Sequence, residues 1–137
     1  MTARTWLYQR LATFPGLVNV VNGRVFAKKS MTSSIEQHPY LVYKMAFSSN
    51  EDLSEDSQVS RQFVQIFVHD YSDGEVADYM RIDEVIDQVK LALRLGESAQ
   101  DGVIATRYLE TSQDLNDETL NTVMKYIRFQ LITKETT

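Results

Sequence analysis

The chain contains no cysteine, which excludes disulfides, thiolate metal sites and cysteine nucleophiles. Two prolines and five glycines among 137 residues leave no Pro/Gly-rich linker. No internal repeat and no low-complexity tract interrupts the sequence. No run of about 18 apolar residues occurs, so a membrane-spanning helix is not expected. The stretch from Met1 to Gln9 also lacks the apolar core of a signal peptide. A soluble protein without a membrane partner is the expectation. Basic residues are in the minority, 14 against 19 acidic, for a net charge of −5. A domain of that charge does not hold nucleic acid by its overall field.

What is present suits one globular domain over residues 1–137, with 43% hydrophobic and 24% charged residues. A chain of this length buries roughly two-thirds of its unfolded surface, so a core forms without staples. Leu7, Leu11 and Phe14 fall on one stripe, with Trp6 and Arg10 beside it, and predict a helix over residues 3–14. Pro15-Gly16 ends it, and Leu17 to Val21 predicts one more helical turn. Asn22-Gly23 is a turn signal before a short strand from Arg24 to Ala27. Pro39 marks the start of a second strand, Tyr40 to Phe47.

Arg61 to His69 is the strongest strand signal. Val64, Ile66 and Val68 point one way, and Phe63 and Phe67 the other. Between these strands, Ser48 to Ser60 is polar and reads as a long acidic loop containing Glu51, Asp52, Glu55 and Asp56. Met80 or Tyr79, with Ile82, Val85, Ile86, Val89 and Leu93, makes a helical stripe. Gly96 is a natural terminator. Two strands follow, Val103 to Thr111 and Thr122 to Thr133, joined by the polar stretch Asp114 to Thr119. In the last strand Val123, Ile127, Phe129 and Leu131 share one face, opposite Tyr126, Arg128 and Gln130. The pattern predicts an α+β fold, a mostly antiparallel sheet of four to five strands with two helices packed on one face. The face holding Phe63 and Phe67 then needs a second cover, either the sheet curling over itself or another copy of the chain.

No catalytic constellation stands out. His69 with Asp70, Asp73 and Glu75 has the residue types of a metal site, but no standard ligand spacing, and reads as a polar turn. No serine lies in a nucleophile elbow, and no glycine-rich phosphate loop is present. Arg24, Lys28 and Lys29 are the one basic cluster, of a kind that touches phosphates or pairs with acidic neighbours. No cofactor, metal or enzymatic activity is expected.

Four stretches together resemble the tail-completion proteins of long-tailed bacteriophages, also called tail terminators or head-to-tail joining proteins. They are Asn22-Gly23-Arg24-Val25-Phe26, Pro39-Tyr40-Leu41-Val42-Tyr43, the strand around Arg61, Val64, Gln65, Ile66 and Val68, and Asp114 to Thr119 followed by Tyr126 to Leu131. Each alone is a strand or turn signal; their order and spacing along nearly the whole chain carry the likeness. The Ser48 to Ser60 loop is longer than the family pattern, and Thr133 stands where an aromatic often sits.

The resemblance implies a virion protein that forms a homohexameric ring. The ring caps the tail tube, ends its polymerisation and joins the tube to the head connector, with a channel through which DNA passes without specific binding. Six copies at −5 each carry −30, which suits a channel that must not retain phosphates. On this reading Glu51, Asp52, Glu55 and Asp56 face the channel or a stacking partner. Phe63, Phe67, Tyr126, Arg128 and Gln130 are the candidate subunit interface, with an ordinary solvent face as the plain alternative. Two other readings stay open: a head-side connector ring of the neck, and a small dimeric ligand-binding regulatory domain. The mark of the latter would be a polar pocket between helices and sheet.

Overall fold

A computed structural model of the chain describes residues 3–27, 39–51, 59–71, 79–94, 103–117 and 122–134. The first helix, α1 (Ala3–Thr13), buries Trp6, Leu7 and Leu11. Pro15 ends α1 and occupies the first turn of α2 (Pro15–Val21), where its missing N–H costs nothing. The extra turn expected from the sequence is thus a seven-residue helix, which buries Leu17 and Val21. It leaves through Asn22 and Gly23, both at positive φ (51° and 76°), the conformation this residue pair tolerates best. Arg24 closes the same corner. Its guanidinium donates to the Val20 and Pro39 carbonyls at 3.1 and 3.0 Å, so this residue serves the fold. Lys28 and Lys29 lie outside the described residues.

Among the described residues six strands form one sheet: β1 (Val25–Ala27), β2 (Tyr40–Glu51), β3 (Val59–Tyr71), β4 (Val103–Thr111), β5 (Leu115–Asp117) and β6 (Thr122–Lys134). Their order is β1-β2-β3-β6-β4, with β5 also on β6. Of the described pairs only β1–β2 is parallel. The α+β, mostly antiparallel reading therefore holds, with one more helix and one more strand than expected.

Two polar stretches read as connections are in fact paired. Ser48 to Glu51 continues β2 opposite Val59 to Gln62, after a register shift between Met45 and Ser48. Leu115 to Asp117 pairs with the start of β6. Backbone ladders hold both, and a backbone ladder needs no apolar side chain. Glu51 is thereby the last residue of β2, while Asp52, Glu55 and Asp56 lie outside the described residues.

The core lies between the helices and one sheet face. Leu41 and Tyr43 of β2, Val64, Ile66 and Val68 of β3, and Val123, Ile127, Phe129 and Leu131 of β6 meet the helices there. The third helix, α3 (Met80–Ala92), contributes Ile82, Val85, Ile86, Val89 and Ala92. Fully burying each of its large side chains is worth about 1.5–3 kcal/mol. Met80 is 63% exposed and Tyr79 packs on the core, which settles the two options left by the periodicity. At Gly16 a β-carbon would lie 1.9 Å from the Gln88 Oε1, the movable end of a side chain on α3.

Polar contacts fix both ends of α3. At its start, Arg81 makes a bidentate pair with the buried Asp70 at the end of β3, 2.8 Å through Nε. That hydrogen bond raises the guanidinium further above its already high pKa, against the opposing effect of burial. Lys125 on β6 reaches Asp83 at 2.8 Å and Asp114 at 3.3 Å. At the far end Arg10 of α1 donates to the Ala92 and Arg94 carbonyls, which lack helical partners.

These clamps differ in worth. Asp70 is buried and Asp83 is 58% exposed, so the first pair matters more. Asp70→Ala is expected to lower unfolding stability by about 2–3 kcal/mol, and Asp83→Ala by less than about 1 kcal/mol, in urea titrations. Equal losses would overturn this ranking.

The Lys125 ammonium is raised above the ordinary lysine value of 10.5, chiefly by its hydrogen bond to Asp83. A raised folded value means stabilisation that is complete below the unfolded pKa and lost as pH climbs through the folded one. The stability difference between the wild type and Lys125→Met should stay flat from neutral pH to about 10 and shrink above it. A difference that grew above that pH would show the sign to be wrong.

Candidate functional site: the uncovered face of the sheet

Alternation along a strand sends every second side chain away from the helices, to a face on which none of the described helices packs. On β3 these are Arg61, Phe63, Gln65, Phe67 and His69. The ladder sets Phe63 opposite Gln130, Gln65 opposite Arg128 and Phe67 opposite Tyr126. All five residues singled out from the sequence as interface candidates therefore share this face. The β2 register adds Val42 beside Phe67 and Lys44 beside Gln65. Sequence alternation alone does not single out Lys44 or Gln65, because their alignment with Arg128 exists only once three strands are in register.

The two ends of this face differ. At one end Tyr40 (0% exposed), Val42, His69, Thr122 and Met124 are buried within the chain. The Tyr40 and His69 rings stack at 4.9 Å with 8° between their planes, and Phe26 meets Tyr40 edge-on. The His69 Nδ1 lies 2.8 Å from the Thr122 hydroxyl oxygen. His69 and Asp70 point to opposite faces of the sheet, and Asp70 is engaged by Arg81. The two do not converge on one ion, and Asp73 and Glu75 lie outside the described residues. Among the described residues no group of three His, Cys, Asp or Glu side chains is placed to hold a metal.

Further along, Phe63, Gln65, Phe67, Tyr126 and Arg128 are only half-buried, Lys44 is exposed and Gln130 is buried. Phe67 and Tyr126 pack at 5.8 Å. The Arg128 guanidinium lies 6.0 Å from the Phe63 ring centroid and 3.0 Å from the Glu110 carboxylate on β4. The result is three rows across the strands. A basic row, Lys44–Gln65–Arg128, runs between an apolar row (Val42–Phe67–Tyr126) and the Phe63–Gln130 pair. Such a surface has the make-up of a contact between proteins: aromatic area, one well-oriented arginine and amide donors.

A second concavity, of about 310 Å³, lies where the end of α3 meets β4, lined by Lys90, Arg94, Thr106, Tyr108 and Phe129. Two of its polar side chains already serve the chain. The Lys90 ammonium sits 4.4 Å from the Tyr108 ring centroid, and the Thr106 hydroxyl donates to the Leu93 carbonyl. Tyr108 itself is 43% exposed, so the concavity is open at the surface.

No protein-family model matches the chain, and neither does any curated protein. Solved structures do contain the fold. One chain of the virion of a native gene transfer agent particle aligns over 97% of this chain and 95% of its own length. Its TM-score is 0.72 at 13% sequence identity, a likeness of fold from end to end.

Proposed function

We propose that the protein is a structural subunit of a phage-like virion that forms a closed ring at the head-proximal end of the tail tube. The observation that carries this reading is the end-to-end likeness in fold to a virion chain. Two features of the molecule support it. The uncovered face presents half-buried aromatic rings and a basic row, a surface that other copies can hide. In the concavity beside α3, Lys90 and Thr106 are turned to partners within the chain, which counts against a pocket built for a small ligand.

On this reading six copies close around a channel, end polymerisation of the tube protein on one side and meet the head connector on the other. Its work is assembly and passage, and no reaction is involved. Glu51, Asp52, Glu55 and Asp56 then line the channel or the connector side, where negative charge lets DNA slide.

Native mass spectrometry of the purified chain, alone and mixed with purified tail tubes, tests the ring. A six-copy species in either setting is expected, with the protein copurifying with tails. A chain that stays monomeric in both settings overturns the reading, and copurification with heads in place of tails moves the ring to the head side. Reversing all four acidic residues to lysine should lower the yield of infectious or DNA-transferring particles while leaving the melting temperature and ring intact. An unchanged yield would show the acidic segment to be a solvated edge.

A further inference from the structure

The α3 helix carries, on the side away from the sheet, the stripe Met80, Glu84, Asp87 and Leu91. The spacing i, i+4, i+7, i+11 brings these four into one line. All four are exposed, Met80 at 63% and Leu91 at 47%. The helix has buried its core face, and Met80 and Leu91 are apolar surface that packing within the chain leaves in solvent. Glu84 and Asp87, between them, have no ion-pair partner among the described residues.

The order along this stripe is apolar, acidic, acidic, apolar. The uncovered sheet face has the matching order: the apolar Phe67–Tyr126 pair, the basic Lys44–Gln65–Arg128 row, then Phe63. Lengths agree as well. Met80 to Leu91 spans roughly 16 Å at the helical rise, and Phe67 to Phe63 roughly 13 Å along the strand.

We infer that the uncovered sheet face of one copy receives the outer stripe of α3 from the next copy. Lys44 meets Glu84 and Asp87, with Arg128 shared between these and Glu110 of its own chain, and the Phe67–Tyr126 row and Phe63 cover Met80 and Leu91. The two surfaces lie on opposite sides of the subunit, because α3 sits between its own stripe and its own sheet. The contact is therefore head-to-tail, the kind that closes into a ring when the subunit is wedge-shaped. This inference rests on the ring reading and names the two surfaces that make it. Charge complementarity selects the second copy as the occupant. A chain of net −5 that keeps a basic row on one face and an acidic stripe on the other is its own matching partner.

The absence of cysteine makes the test direct. Gln65→Cys and Asp87→Cys are combined in one chain, and the protein is mildly oxidised in solution and with purified tail tubes. The expected result is a ladder of disulfide-linked species on a non-reducing gel, in either setting. A Tyr8→Cys/Asp87→Cys pair, with one thiol on exposed α1, should give no ladder. Lys44→Glu/Gln65→Glu and Glu84→Lys/Asp87→Lys, otherwise wild type, should each lose self-assembly by native mass spectrometry, and a mixture of the two should regain it. No ladder, with a wild-type ring present by mass spectrometry, overturns this contact and leaves the ring standing. No ladder with a wild type that is monomeric alone and on tubes overturns both.

Discussion

Helices cover one side of a sheet that is five strands across, and the opposite side has to find its cover elsewhere. This asymmetry governs the rest of the molecule. A sheet face that stays in water alternates apolar-in with polar-out. Here β3 breaks that rule, with Phe63 and Phe67 on the face away from the core. The chain meets the demand in two ways at once. Near the start of β2 the sheet buries its own second face, through the Tyr40–His69 stack and its neighbours Val42, Thr122 and Met124. Further along β3 and β6 it stops doing so, and aromatic rings stand half-covered beside Lys44 and Arg128.

Charge follows the same division. The net −5 is not spread evenly: a basic row sits on the uncovered face, while Glu84 and Asp87 stand on the outer side of α3. Single exposed ion pairs contribute little, about 0–1 kcal/mol each, so these charges do not supply the affinity of a contact. Burying aromatic and aliphatic area does, at roughly 25 cal/mol per Å². In the proposed contact the charges choose partner and register. The proposed contact hides Lys44 and Arg128 against Glu84 and Asp87, so it removes no net charge and each copy keeps its −5. Net negative charge is the condition under which a polyanion passes a ring without adhering.

The core was legible in the sequence, and so was half of the uncovered face. The period-two pattern of β3 and the stripe of α3 identify their buried residues, and Pro15 and Asn22-Gly23 mark real corners. Tyr126, Arg128 and Gln130 separate from Ile127 and Phe129 by alternation alone, so the interface candidates fall on one face as read. The extension of β2 through Glu51 and the short β5 over Leu115–Asp117 are hidden because their side chains, Leu115 apart, are polar and it is the backbone that pairs. Lys44 and Gln65 are hidden for a different reason. Their meaning lies in register with Arg128, more than sixty positions along the chain, and no local pattern encodes it.

The proposed ring makes one more demand. When a head-to-tail contact repeats, an error in the angle between the two contact surfaces accumulates at every step, and six steps separate a closed ring from a helix. The surface on α3 is useful only if α3 cannot swing relative to the sheet. The polar clamps answer this requirement. Arg81–Asp70 and Lys125–Asp83 tie the start of α3 to β3 and β6, and Arg10 ties its end to α1. Hydrophobic packing alone would hold the helix on the sheet, because burial is strong but non-directional. Bidentate and carbonyl-directed hydrogen bonds at both ends fix its direction. The polar investment around α3 is thus better understood as setting an angle than as adding stability, since only one of these pairs is buried deeply enough to stabilise strongly.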